Sequence, residues 1–377
     1  MKNIRREITE QVLAKIKPGK VLIITGARRV GKTVLVKEII KEINEPYIFL
    51  NGEDMNAHDL LSRRTAENYR QLTGSKKVLV IDEAQKIKDI GHVLKLMTDE
   101  IPGLKLIVTG SSSFDINNMA GEPLTGRKNT ITLYPLSERE LILDDNIIGQ
   151  PEKLMQRLVY GNYPELLHIP DQADKKDYLH ELVSSYLLKD ILVFENIKDS
   201  VKIFNLLRLI AFQIGNLVSL NELGSQLAMS KNTVQRYLDL LSKVFILFRL
   251  EGFSRNLRKE ITKNYKWYFF DNGIRNAIIS DFRNPDLRND KGLLWENYVI
   301  SERLKYQQFK RMKVNNYFWR TYDQQEIDLV EEHSGQLSGI EFKWTGPGVK
   351  APATWKKTYP DSEFRVITPD NYLEWLT

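Results

Sequence analysis

The sequence predicts an α/β multidomain fold, and three observations predict it. Short bulky apolar runs alternate with helical patterns through the first 140 residues; two short capped helical patterns follow one another between residues 219 and 241; a helical pattern after residue 290 leads into alternating strands. The 377 residues imply two to four domains at roughly 100–200 residues each. We divide them as 1–140, 141–200, 201–285 and 286–377. The absence of cysteine excludes disulfides, thiol catalysis and Cys-ligated zinc, and none of the five histidines forms a His-x-x-x-His pair. No apolar run approaches the roughly 18 residues of a membrane span, and the N-terminus enters a charged pattern without an apolar stretch, so the expectation is a cytoplasmic protein without a membrane partner.

The first segment opens with Val21-Leu22-Ile23-Ile24, which reads as a buried parallel strand and runs directly into Gly26-Ala27-Arg28-Arg29-Val30-Gly31-Lys32-Thr33. This fits G-x-x-x-x-G-K-[ST]. Its glycines let consecutive N–H groups wrap a β-phosphate, Lys32 reaches the β/γ oxygens, and the Thr33 hydroxyl ligates Mg²⁺. Val36, Ile39, Ile40 and Ile43 then recur at helical spacing, so the loop opens a helix whose N-terminus faces the phosphates. A second run, Val78 to Ile81, ends in Asp82-Glu83. An acidic pair at a buried strand tip suits phosphoryl transfer, with Asp82 in the Mg²⁺ shell and Glu83 polarising water. The run Leu106-Ile107-Val108 ends in Thr109-Gly110-Ser111-Ser112-Ser113, where Thr109 or Ser111 would sense the γ-phosphate unless the segment is a plain turn. Arg127 is a candidate to bring charge to the phosphoryl group, in its own chain or across a subunit interface.

GARRVGKT, VLVIDEAQ, LIVTGSSS, LTGR and YPLSERE resemble the prokaryotic AAA-type ATPases that carry a C-terminal domain of unknown function. The resemblance continues through Gly161-Asn162-Tyr163-Pro164-Glu165 and Tyr186-Leu187-Leu188-Lys189-Asp190, with Asn162 standing where that family often has a second glycine. It implies an additional-strand P-loop core, ATP as nucleotide and a small helical lid. Residues 141–200, entered through the capping box Ser137-x-x-Glu140, would form that lid.

Net charge is +6, and it is unevenly spread: residues 201–285 alone carry +7 while 286–377 carry −1. In the basic segment Ser219-x-x-Glu222 caps one short helix and Ser230 a second, which presents Lys231, Asn232, Thr233, Gln235 and Arg236 outward. With the strands Phe245–Phe248 and Trp267–Phe270, and Arg255, Arg258, Lys259 and Lys263 between them, this reads as a winged helix. Lys231, Asn232, Thr233, Arg236, Arg258 and Lys259 are the candidate DNA contacts, the competing reading being a module used for packing.

In the last segment Glu296 sits near the start of a helix, and Glu326-Ile327-Asp328 and Glu341-Phe342-Lys343 sit on two strands. A two-residue loop at Ser334-Gly335 places Asp328 opposite Glu341 and Glu326 opposite Lys343. Two carboxylates there can share Mg²⁺, with Lys343 positioning a water, or the charges form cross-strand ion pairs. Asp328, Glu341-x-Lys343 and the helix acid Glu296 resemble the PD-(D/E)-x-K nuclease superfamily. That resemblance implies a small α/β restriction-endonuclease-like domain with Glu296, Asp328 and Glu341 as metal ligands. The expected protein hydrolyses ATP, engages DNA and either cuts it or carries an inactive nuclease fold. Assembly of several copies and a protein partner stay open.

Overall fold

The computed structural model describes residues 4–111, 124–145, 151–187, 200–255, 265–345 and 348–376. The chain divides into two compact units. One comprises Met1–Pro135 with Lys243–Phe245, the other Leu136–Ser242 with Ile246–Thr377.

The first unit is built on five parallel strands, β1 (Val21–Thr25), β2 (Tyr47–Asn51), β3 (Val78–Asp82), β4 (Lys105–Gly110) and β5 (Lys128–Thr132), in the order β2-β3-β4-β1-β5. All five residues of β1 and of β3 are buried. Their first four residues, Val21–Ile24 and Val78–Ile81, are aliphatic because both faces of a parallel sheet are covered. On one side Leu79, Ile81, Val93, Leu94, Met97 and Val108 share a core, each burial contributing about 1.5–3 kcal/mol. The strand inserted between β1 and β3 is β4, as the resemblance implies. Its register, Ile24↔Thr109 with β1 and Ile81↔Val108 with β3, brings the C-terminal ends of β1, β3 and β4 to one edge.

The second unit holds a seven-stranded sheet in the order β12-β11-β10-β9-β7-β8-β6. Its strands are β6 (Leu217–Val218), β7 (Leu247–Gly252), β8 (Tyr265–Phe269), β9 (Asn315–Arg320), β10 (Glu326–His333), β11 (Gln336–Phe342) and β12 (Glu363–Ile367). Between β6 and β7 lie the helices Leu220–Leu227 and Lys231–Lys243, capped by Ser219 and Ser230 as read from the sequence. The sheet crosses the expected division at 285/286: β7 pairs in parallel with β9, Glu251↔Tyr317 and Gly252↔Phe318. A lone hairpin would leave the edge of β7 unpaired, and β9 satisfies it.

Of the segment expected as a lid, the described residues 141–145 and 151–187 pack within this second unit. The helix Pro151–Tyr160 lies against Asn272–Ile279, with Asn276 Nδ2 donating to Leu158 O at 3.0 Å and Val159 O at 2.8 Å. The two backbones meet so closely that a Cβ on Gly273 would lie 1.9 Å from Tyr160 O, and one on Gly161 (φ +73°) 2.0 Å from Asp271 Oδ1. Asn162 earns its place in the same contact, its N–H donating to Asp271 Oδ2 at 2.7 Å and its Nδ2 to Glu302 Oε1 at 3.1 Å. The capping box is reciprocal, Ser137 N–H to Glu140 Oε2 at 2.8 Å and Glu140 N–H to Ser137 Oγ at 3.1 Å. Among the described residues no helix is long and apolar enough to cross a membrane.

Candidate nucleotide site and acidic cluster

At the C-terminal edge of the first sheet, β1 passes through the loop Gly26–Gly31 into the helix Lys32–Ile43. Gly26 adopts φ 151°, and a Cβ there would meet Leu133 O at 2.1 Å, so only glycine lets the loop cross β5's exit. Gly31 sits at the helix N-cap with φ 95° and offers no side chain to cap the first turn. Lys32 is buried, its Nζ donating to Gly26 O at 3.0 Å and Ala27 O at 2.9 Å. Ala27 and Val30 are buried in the loop, Arg28 is half-buried and Arg29 exposed at φ 64°. Behind them Arg6 braces the loop, donating to Val30 O at 2.9 Å and to Tyr134 O at 2.8 Å.

Asp82, 6% exposed, ties β3 to β4 and to the start of the helix Lys32–Ile43. Its Oδ2 accepts from Thr33 Oγ1 at 2.7 Å and its Oδ1 from Thr109 Oγ1. Thr109 Oγ1 in turn accepts the Glu83 N–H at 3.1 Å. Glu83 stands half-buried in the left-handed region, φ 49°, with its carboxylate held by Gln85 Nε2, which also donates to Ser111 Oγ at 3.2 Å. Thus Gly26–Thr33, Asp82, Glu83 and Thr109 come together.

Arg127 does not join them within the chain. It precedes Lys128, which pairs with Val21 at the far end of β1. At about 3.3 Å per residue, the length of β1 sets it about 13 Å from the loop side of the sheet. Its guanidinium is ion-paired with Asp99 at 2.7 Å. Ser112 and Ser113 lie outside the described residues.

In the second unit, Lys231, Asn232 and Arg236 are exposed on the helix Lys231–Lys243 and Thr233 is half-buried, its Oγ1 2.8 Å from the capping Ser230 Oγ. Ser219, Asn221, Lys231, Gln235 and Tyr265 line a groove of about 270 Å³ beside the helix start. Arg258, Lys259 and Lys263 lie outside the described residues.

The hairpin β10–β11 turns at Ser334 (φ 51°) and Gly335 (φ 82°), both left-handed as a type I′ turn requires. Its ladder runs from Leu329↔Ile340 to His333↔Gln336, the expected register. Beyond it, Phe342 N–H donates to Asp328 Oδ2 at 2.9 Å. Lys343 pairs with Glu341 at 2.8 Å. Glu326, expected opposite Lys343, pairs with Lys266 and with Arg320 at 3.2 Å.

Where the sequence leads one to expect a metal among Glu296, Asp328 and Glu341, the structure sets Lys266 beside two of the three. Among the described residues no group of three or more His, Asp or Glu is arranged to hold a metal ion. Instead the ammonium of Lys266, on a side chain only 2% exposed, stands among Glu326, Glu296 Oε1 at 3.8 Å and Asp328 Oδ1 at 4.0 Å. Tyr268, two residues along the same face of β8, donates to Glu296 Oε1 at 2.6 Å. Burial, then the charge of Asp328, pushes Glu296 up to about 8 against the pull of Lys266 and Tyr268. Asp328 and Glu341 are raised by burial as well. Burial opposes the Lys266 charge, but Glu296, Asp328 and Glu326 outweigh it and hold the ammonium above its ordinary range.

Sequence reasoning missed Arg6, Gln85, Lys266 and Tyr268. The signal for Lys266 is a single lysine inside Tyr265-Lys266-Trp267-Tyr268-Phe269, a strand otherwise wholly aromatic.

Residues 18–142 match the family model described as AAA domain, and 151–285 and 291–369 match two domains of unknown function, DUF8612 and DUF4143. The chain is 27% identical over 348 residues to the uncharacterized protein Rv2008c of Mycobacterium tuberculosis, covering 90% of this chain and 74% of that one. It is 25% identical over 314 residues to the uncharacterized protein MJ1544 of Methanocaldococcus jannaschii, covering 78% and 69%. Similar solved structures include the replication initiator DnaA bound to AMPPCP and single-stranded DNA, with TM-score 0.34, 14% identity, and 63% of this chain and 86% of that chain covered. The Thermotoga maritima RuvB Holliday junction branch migration motor gives TM-score 0.31, 17% identity, and 65% and 90% covered. Parallel sheet, phosphate loop and family match together make the first unit an AAA-like P-loop domain.

Proposed function

We propose that this protein hydrolyses ATP and uses the nucleotide state to control DNA binding, with a C-terminal nuclease-like fold that does not cut. The observation that carries the ATPase reading is the Asp82 carboxylate held between Thr33 and Thr109 with Glu83 beside it. The residues fit ATP and Mg²⁺: the Gly26 position has no room for a Cβ, and the first helical turn after Gly31 has no capping side chain. Thr33 and Asp82 would hold Mg²⁺, which when bound neutralises charge on the phosphoryl oxygens. Lys32 binds the β/γ oxygens, Glu83 takes a proton from the attacking water, and Thr109 and Gln85 orient Asp82 and Glu83.

Steady-state ATP turnover in wild type, Lys32→Ala and Glu83→Gln tests this. Loss of at least about 100-fold in both variants is expected from removal of charge stabilisation or the base, and wild-type turnover in both would overturn the assignment.

The DNA reading is supported by the two capped helices with Lys231, Asn232 and Arg236 exposed, and by the charge of +7 on residues 201–285. Strands β6, β7 and β8 beside those helices are the arrangement a winged helix uses. Binding to duplex DNA should weaken with salt, and Lys231→Ala with Arg236→Ala should reduce both affinity and salt slope. Binding independent of salt and of both residues would sink the idea. Incubation of plasmid and linear DNA with Mg²⁺ or Mn²⁺ should leave both intact, and cutting lost in Asp328→Ala would reinstate the nuclease reading.

A further inference from the structure

We propose that Lys266 is the built-in counter-cation of the C-terminal acidic cluster, and that it keeps a divalent metal out of the site which the nuclease resemblance assigns to Glu296, Asp328 and Glu341. The proposal stands on residues 265–343 alone and does not need the ATPase or DNA readings to hold.

The geometry is specific. β8 is buried along four of its five residues and sends Lys266 and Tyr268 to the same face. Lys266 has 2% of its side chain exposed, and its Nζ lies on Glu326, 3.8 Å from Glu296 and 4.0 Å from Asp328. Its Nζ also stands over the Phe318 ring, 5.7 Å from the centroid. A buried ammonium requires paired acids, and in turn it opposes the upward shift that burial gives Glu296 and Asp328. Each component therefore stabilises the charge state of the other.

The other groups are committed in the same way. Asp328 accepts the Phe342 N–H, Glu296 accepts the Tyr268 hydroxyl, Glu326 also holds Arg320, and Glu341 holds Lys343. A divalent ion prefers several free carboxylate or carbonyl oxygens at about 2.0–2.6 Å. Here it would have to displace these partners and stand beside a positive charge that is itself buried. Lys266 comes from the segment before residue 285, and the acids from the segment after it. The continuity of β8, β7 and β9 in one sheet is what delivers the ammonium to the acids.

The experiment is Mn²⁺ titration of the full chain without nucleotide, by calorimetry and by thermal denaturation, on wild type, Asp328→Asn, Lys266→Met and the Lys266→Met/Asp328→Asn double variant. Wild type and Asp328→Asn should give the same isotherm. Lys266→Met should gain one Mn²⁺ site per chain, tighter than wild type by about 100-fold or more given the removed charge, and lost again in the double variant. Mn²⁺ should raise the Tm of Lys266→Met and leave that of wild type unchanged. A wild-type Mn²⁺ site lost in Asp328→Asn would overturn the proposal, as would a folded Lys266→Met that binds no Mn²⁺. Should Lys266→Met fold only with Mn²⁺, the proposal is supported. Should it fail to fold under either condition, the comparison of wild type with Asp328→Asn still decides.

Discussion

Glu296 shows how one side chain's chemistry is set by its surroundings. Burial and the Asp328 charge raise its carboxyl to about 8. A raised acid pKa means the folded state holds a proton that the unfolded chain releases near pH 4.5. The stabilisation is therefore full below pH 4.5 and lost as pH rises through about 8. Glu296→Gln keeps a neutral group of the same shape, so its Tm relative to wild type should climb between pH 5 and 8.5. Thermal melts across that range check it, and a constant difference would reject the assignment. At the same scale Asp82 was legible from Val78-Leu79-Val80-Ile81-Asp82, because a carboxylate at the tip of an aliphatic strand has few other uses. Gln85 was not legible, because only the fold brings its amide between Glu83 and Ser111.

Among the elements, those most readable in sequence owe their form to local rules. The β10–β11 hairpin follows from alternation and two left-handed turn residues, and the helix starts at Ser137, Ser219 and Ser230 follow from capping. The contact of Pro151–Tyr160 with Asn272–Ile279 has no local signature, since its partners are over a hundred residues apart. It depends on glycine at both crossing points. Gly273→Ala would drive a Cβ into the Tyr160 carbonyl at 1.9 Å, and we expect a loss of about 3 kcal/mol, read by chemical denaturation. Unchanged stability would show that the two helices can separate without cost. The same contact explains why Gly161-Asn162-Tyr163-Pro164-Glu165 stands out in the sequence: Gly161 and Asn162 are spent on seating Asp271 and Glu302.

At the level of the whole molecule, the second unit's sheet joins what the sequence divides at 285/286. A chain ending at residue 285 would lose β9 to β12 and expose the edge of β7, along with the apolar faces of Trp267 and Tyr268, both fully buried in the intact protein. We expect that fragment to aggregate or lack a cooperative melt, measured by size exclusion and circular dichroism, whereas a monomeric, cooperatively melting 1–285 would argue that the two segments are independent. Arg127 belongs to this scale too. The motif around it suggests a place near the phosphates, but the parallel pairing of β5 with β1 carries it to the opposite end of the sheet.

By itself the sequence determined the phosphate loop, its acidic partner strand, the capped helices and the hairpin register. Each of these is encoded within a few residues by backbone sterics, capping and side-chain alternation. Only the tertiary structure decided that residues 201–285 and 286–377 share a sheet, that the described part of the expected lid packs in the second unit, and that an ammonium from β8 stands among the acids of the last segment. Those outcomes depend on pairings between distant strands and on which charges burial forces together, and a linear pattern carries neither.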